Sequence, residues 1–306
     1  MAQINVTGVL TQTMMTYYER VFLERAKAQL VNEQGSQKRT HPSNQGKTIN
    51  FTRMEPLTVS TTALAEASNP SASAMTASTV AATLAEYGSA TIYSKLQSTT
   101  SIDVGLKEVV DVFGQNMGET LNALAGLALA SGTAFFPNGH GVSTVTTGDV
   151  LNASAIIYAV QAQELAKAPT YPDGFYLGKT TIQNKVSLLK DTTWVAAKTY
   201  VDTKDLYKGE MGELYQVRWL LNGQTLSGNG NSGAAACTSV CYYSYVHGDN
   251  SFGTVKLEGD MPKLYIINQA DSGNVAGRLT YISWAGSYVA VRLNDNWIQT
   301  IKAVAA

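Results

Sequence analysis

Between Gly46 and Leu96 the chain reads GKTINFTRM, then, after Glu55, Pro56 and Leu57, a tract TVSTTALAEASNPSASAMTASTVAAT, then LAEYGSATIYSKL. From Lys47 to Met54 the residues alternate, with Ile49, Phe51 and Arg53 on one face, and Leu84–Leu96 is a second extended run containing Tyr87, Ile92 and Tyr93. These two runs are expected to be the arms of a long hairpin. The tract between them is mostly Ala, Ser and Thr with a single charge at Glu66, and it has too little bulk to build a core of its own. Such a loop must find a partner surface elsewhere or stay mobile.

Upstream, YYERVFLERAKAQLVNEQ predicts a helix over Tyr17–Gln34, opened by a Thr16–Glu19 capping box and stopped by Gly35. The following SQKRTHPSNQGK reads as a loop or extended arm. Downstream, Ile102, Leu106, Val109, Phe113, Met117, Leu121, Leu124 and Ala128 step by three or four, predicting one helix to about Ala130. At ~1.5 Å per residue it would run roughly 40 Å, with Gly114, Gly118 and Gly126 as weak points or places of close packing. Beyond FFPNGHG the pattern becomes α+β. Helices are expected over Ser154–Lys167 and Ile182–Tyr200, and strands over Leu214–Leu221, Val240–Val246, Lys263–Asn268, Leu279–Ser283, Tyr288–Leu293 and Trp297–Lys302. Asn294, Asp295 and Asn296 read as a hairpin turn joining the last two strands.

With 306 residues, 44% of them apolar, the chain can bury a sizeable core. Its 15% charged residues fall well under the roughly 25% of ordinary domains, which suits a surface buried against other chains. The 22 basic and 23 acidic residues argue against a dedicated nucleic-acid reader, which would gather cations into a footprint. Cys237 and Cys241 make no disulfide framework, so a reducing cytoplasm is expected. No secretory signal is read at the N-terminus, which leaves the Asn5, Asn50 and Asn152 sequons as chance matches. The longest apolar run, Ala123–Ala130, is far short of a membrane span.

Several strings bear on chemistry. Gly228-Asn229-Gly230-Asn231-Ser232-Gly233 matches G-x-G-x-x-G formally and precedes Asp249, but the β-branched and aromatic continuation AAACTSVCYYSYV does not open the helix a dinucleotide site needs, and a loop is the better reading. Cys237 and Cys241, with His247 as a conceivable third ligand, could hold a metal or be two small core residues. His41, His140 and His247 all lie in loop-like contexts, and no nucleophile elbow is present. Glu210 and Glu213 in KGEMGEL could hold a proton or a metal, though a glycine-bounded turn with solvated carboxylates fits the composition better. Tyr242, Tyr243 and Tyr245 lack interleaved cations, which favours core or interface over base stacking.

The order of these elements resembles the major capsid proteins of tailed bacteriophages, in the branch typified by the phage named N-four, with the Hong Kong 97 fold. The family's opening helix, Pro and Gly-Lys-Thr-Ile-x-Phe-x-Arg strand are similar to Tyr17–Gln34, Pro42 and Gly46–Arg53; its Leu-x-Glu-x-x-x-Pro and Tyr-Gly elements resemble Leu64, Glu66, Pro70 and Tyr87-Gly88. Further on, Gly209-Glu210-Met211-Gly212, Val217-Arg218-Trp219, Gly248 to Phe252-Gly253 and Trp284 resemble its later motifs. Two places depart from the pattern: Gln224–Ala236 looks like an insertion, and Ala270–Ala276 lacks a frequent Asp-Pro.

The resemblance implies an N-terminal arm and helix over 1–46, an extended E-loop hairpin over 47–100, a peripheral domain with its spine helix over 101–148, an axial domain over 149–246 and a C-terminal return to the peripheral domain over 247–306. It implies a non-enzymatic subunit without cofactor or metal, found in the virion and assembled in the host bacterial cytoplasm. Its partners would be copies of itself, in pentamers and hexamers enclosing double-stranded DNA without specific binding, with scaffolding, portal and decoration proteins and no membrane. Arg53, Glu66 and Glu210 would lie at contacts between subunits. A cellular shell of the same fold that packages protein cargo, and a nucleotide-binding α+β enzyme using the Gly228 loop, are the alternatives. Leu57–Ser94 contains no Lys, so its tip has no amine for a Lys–Asn isopeptide cross-link.

Overall fold

The periodic run after Ile102 folds as one helix, and the rest of the molecule is arranged along it. In the computed structural model the described residues are 7–27, 29–64, 66, 69–70, 72–96, 106–132, 134–139, 145–193, 210–224, 240–267 and 277–305. Helix α1 covers Thr7–Lys27 and the long α2 covers Leu106–Ala130. Phe22 and Ala26 of α1 meet Val110, Phe113, Met117 and Leu121 of α2, and both helices lie on Leu264, Ile282, Trp284 and Tyr288 of a sheet. The Trp284 indole donates to Asn116 Oδ1 at 2.9 Å, tying that sheet to the middle of α2.

The sheet has five strands: β1 (Gln37–His41), β4 (Ala85–Ser94), β10 (Phe252–Leu257), β11 (Lys263–Ile267) and β12 (Leu279–Arg292). β12 is 14 residues long and pairs antiparallel with β4, β10 and β11; β1 adds parallel to β10. A second, six-stranded sheet runs β5-β13-β9-β6-β8-β7, built from β5 (Ala134–Phe135), β6 (Tyr176–Thr181), β7 (Glu210–Leu214), β8 (Val217–Asn222), β9 (Cys241–His247) and β13 (Ile298–Val304). Helix α3 (Ala153–Leu165) buries Ala155, Ile156, Ala159 and Val160 against it, and α4 (Ile182–Lys190) adds Leu188. Asn152 caps α3, its side chain accepting from the Ala155 amide.

Several expectations are corrected. α1 begins at Thr7 and ends at Lys27, so Thr16 and Glu19 lie inside the helix rather than at its start; residues 29–35 turn instead of continuing it. Of the two readings of the stretch after α1, Gln37–His41 takes the extended one, as a strand on an edge that β10 offers it. The hairpin partner of β2 (Thr48–Met54) is β3 (Ala77–Thr83), and the run expected as its second arm pairs with β12. β3 and β4 are separated only by Leu84, whose amide donates to Lys47 O. The hairpin thus grows out of the sheet, its base packed through Phe51 and Ala82 on Val255.

Leu214–Leu221 is not one strand: Tyr215 and Gln216 take positive φ and turn the chain between β7 and β8. The two strands expected at Leu279–Ser283 and Tyr288–Leu293 are one, β12. Asn294–Asn296 is not a hairpin turn, since β12 and β13 belong to different sheets; a 3-10 turn at Asp295–Trp297 carries the chain from one to the other. α4 stops at Lys190, and residues 194–200 lie outside the described residues.

The two helices approach closely where the expected weak points lie. A Cβ on Gly114 would sit 2.6 Å from Phe22 O and one on Gly118 2.6 Å from Ala26 O, both backbone atoms of α1 that cannot swing aside. Replacing both glycines by Ala would add helix propensity of ~1 kcal/mol each in isolation, yet is expected to destabilise the chain by about 1–3 kcal/mol through overpacking. Unfolding midpoints together with hydrogen exchange over residues 7–27 check this. A gain in stability would show that α1 is not held at that distance.

Candidate functional site

The residues singled out as contact candidates sit on the hairpin and on the six-stranded sheet. Arg53 lies on β2, its Nη2 donating to Glu55 Oε1 at 2.9 Å and its guanidinium 5.9 Å from the Trp297 ring centre. Glu55 is solvated, and the Arg53 hydrogen bond holds its carboxyl below the usual range. Glu66 is exposed on the loop that joins β2 to β3 and makes no ion pair with Arg53. Glu210 opens β7 opposite Leu220. Its side chain lies outside the described residues.

The loop 55–76 carries large apolar groups that the described residues leave uncovered. Met54, Leu57, Val59, Leu64 and Met75 are all exposed, Val59 to 79% and Leu64 to 63%. Each such side chain gains about 1.5–3 kcal/mol when fully buried, so these five, four on the loop and Met54 at the end of β2, make a surface suited to burial against another chain.

At the root of the hairpin is a cleft of about 270 Å³ lined by Arg39, Phe51, Arg53, Val80, Leu293 and Trp297, with Gln37 and Asn250 at its polar side. The Arg39 guanidinium stacks 4.4 Å above the Phe51 ring. The alternation of β2, with Ile49, Phe51 and Arg53 turned inward, gives the cleft its floor. Arg39 and Trp297 were not legible as contributors: β1 carried no strand signal, and Trp297 reaches the cleft only because the chain changes sheets there.

A second concentration of buried polar groups joins the turn after α1 to the six-stranded sheet. Lys179 on β6 is 1% exposed and donates to Asn32 O at 2.8 Å and Gln34 O at 2.7 Å, with its ammonium 4.7 Å from the Phe252 ring centre. Burial pushes its pKa well below the ordinary lysine value, while the Glu33 carboxylate opposes the shift. Nearby, Asn122 of α2 accepts from the Asn32 amide at 2.7 Å and donates to Asn222 Oδ1 at 3.0 Å. His247 is wholly buried, its Nδ1 3.1 Å from the Tyr171 hydroxyl, which itself donates to Gly35 O at 2.8 Å. Gly35, at φ +75°, lets the turn lie against Tyr171 and Leu177 where a side chain would clash.

The remaining candidates are dispersed. Cys241 is buried and packed with Phe136, Val145 and Val304, while Cys237, His140 and the Gly228–Gly233 loop lie outside the described residues. His41 is buried beside Gly46 O. Among the described residues, no group of three His, Cys, Asp or Glu could hold a metal, and no helix is long and apolar enough to cross a membrane. Glu213 lies on a strand rather than in a solvated turn and takes two N–H bonds from Arg218, at 3.1 and 2.9 Å. Tyr243 and Tyr245 are buried with parallel rings 6.4 Å apart, and burial pushes the Tyr245 phenol far up.

No family model matches the chain, and no curated protein does. Solved structures match it over nearly its whole length. The capsid of Ralstonia phage GP4 aligns with a TM-score of 0.67 and 13% identity, covering 89% of this chain and 87% of that one. This is the fold of phage capsid subunits. The capsid of cyanophage P-SCSP1u shares it at a TM-score of 0.65 and 15% identity, over 90% of this chain and 89% of that one. So does the virus-like particle from Pyrococcus furiosus, at 0.55 and 8%, over 94% and 99%. At these identities the likeness is one of fold, and in this capsid fold the hairpin, the cleft and the Lys179 junction are this chain's own groups.

The junction makes stability depend on pH. Burial, then the Lys179 charge, push the His247 pKa well below its ordinary 6.5, so the folded chain holds the ring neutral. Below about pH 6.5 the unfolded chain takes up a proton that the folded one refuses, and stability falls by up to ~1.4 kcal/mol per pH unit. Above pH 6.5 this contribution is constant. Urea midpoints of the full chain at pH 7.5, 6 and 5 are expected to fall with acid, and less steeply in His247→Gln; equal slopes would contradict the assignment.

Proposed function

We propose that this chain is the major capsid protein of a tailed bacteriophage, assembling as pentamers and hexamers into an icosahedral head around double-stranded DNA. The observation that carries the reading is the projecting hairpin and loop 55–76, whose apolar side chains stay exposed in the single chain, on a fold shared with phage capsids. Repeating one modest burial at every contact of a closed shell gives collective strength without any single strong interface. The near balance of 22 basic and 23 acidic residues suits a wall that encloses DNA without gripping its phosphates.

In this reading the turn and helix within 1–46 form the N-terminal arm, 47–100 the E-loop, 101–148 the spine region of a peripheral domain and 149–246 the axial domain, with 247–306 returning. The last segment divides: β12 lies in the five-stranded sheet and β13 in the six-stranded one. Arg53, Glu66 and Glu210 lie at subunit contacts, and scaffolding, portal and decoration proteins are its further partners. The subunit has no enzymatic role. A second reading, a cellular shell of the same fold that packages protein cargo, is favoured by the likeness to the virus-like particle from Pyrococcus furiosus. Nuclease-protected DNA inside purified particles separates the two.

The chain is expected to form shells, tubes or capsomer-sized rings, read by light scattering and negative-stain microscopy. Replacing residues 57–74 by a short Gly-Ser link is expected to abolish these assemblies while moving subunit stability by no more than ~0.5 kcal/mol, because the tract lies on the exposed loop. Assemblies that persist without the loop would overturn the reading. On denaturing electrophoresis the particles should give a single monomer band, since residues 57–94 contain no Lys.

A further inference from the structure

We infer that the Arg39–Arg53 cleft is the seat for the loop tip of a second copy of this chain, with the partner copy's Glu66 carboxylate between the two guanidiniums and its Leu64 against the apolar wall. The inference rests on the shell reading above and names where one subunit receives the next.

The cleft is chemically specific. Its cations are stacked on aromatic rings, Arg39 on Phe51 and Arg53 beside Trp297, an arrangement that fixes the guanidinium planes and leaves their N–H edges for an acceptor in plane. Among the described residues Arg39 has no carboxylate partner; its one side-chain hydrogen bond is a long 3.5 Å contact to Asn50 O. Arg53 commits Nη2 to Glu55, and a guanidinium carries five N–H donors in all. Val80 and Leu293 supply an apolar flank. The cleft encloses about 270 Å³, room for a carboxylate side chain and an apolar neighbour.

The occupant follows from charge. Residues 54–94 contain no Lys or Arg, and their only charges are Glu55, Glu66 and Glu86. Glu55 is spent on Arg53, and Glu86 stands on β4 where that strand pairs with β12. Glu66 is therefore the anion the loop has left to offer, flanked two residues earlier by Leu64, an exposed apolar side chain. In its own chain Glu66 makes no ion pair with either arginine. Every copy thus presents one cationic aromatic cleft and one anionic apolar tip, which is the requirement for head-to-tail contact around a ring.

The test is a pair of cysteines, Arg39→Cys with Glu66→Cys, assembled and then treated with a bis-maleimide long enough to span an Arg–Glu pair, which a direct disulfide with its Cα–Cα limit of about 7 Å would not, with each single substitution as control for Cys237 and Cys241. A ladder of covalent oligomers on denaturing gels is expected from the double variant alone. Particles without a ladder, or a bridge closed within one chain, overturn the inference and leave the capsid reading standing. Failure of the unsubstituted chain to form particles overturns that reading and this one with it. Charge reversal gives a second readout: Arg39→Glu and Glu66→Arg are each expected to lower particle yield about tenfold, and their combination to restore it to within about twofold. Equal yields from all variants count against the pairing.

Discussion

One buried ammonium organises the meeting of the molecule's two halves. Lys179 leaves the six-stranded sheet and donates to Asn32 and Gln34, carbonyls of a turn that follows α1 and belongs to the other half. A charge out of water is tolerated only when its donors are satisfied, so the turn must take one conformation or leave the ammonium stranded. The Asn122 side chain accepts from the Asn32 N–H of the same turn and donates across to Asn222, and the Tyr171 hydroxyl donates to Gly35 O. α1, α2 and both sheets are thereby registered on a few residues of irregular backbone.

The second joint lies about two turns further along, at the C-terminal end of α2. Arg292, 9% exposed, donates to the carbonyls of Leu129 and Ile298, and Thr300 adds a bond to the same Leu129 oxygen. The C-terminal end of the long helix is thus capped by the strand-to-strand crossover, where cationic donors meet the negative end of the helix dipole. Two polar clasps, at Asn122 and at Leu129, thus tie the C-terminal half of α2 to both sheets. The hairpin cleft belongs to the five-stranded half through Phe51 and Val255, yet borrows Trp297 from the crossover.

What could be read from the residues alone was set by period and bulk. The α2 repeat, the inward face of β2 and the thin loop were visible because each is a local pattern that the tertiary structure obeys. The strand partners were not, since β1, β4 and β10 acquire their pairing from segments far along the chain. Asn294–Asn296 has turn chemistry and does turn, but composition does not say which sheet receives the next strand. Arg53 was legible on the inward face of β2, whereas the surroundings of Arg39 and Lys179 were not: a cation in a short strand looks solvated until the fold encloses it.

The near-continuity of β3 and β4 has a mechanical meaning. Ala77–Thr83 pairs with β2, and one residue later Ala85–Ser94 lies along β12 in ten-residue register. Tension applied at the loop tip runs straight down this strand and loads the β4–β12 hydrogen bonds in shear, along the strand axis. They must then yield together, whereas bonds pulled apart from one end break singly. The hairpin is anchored as a tie rod is, strongest against a pull along its own length.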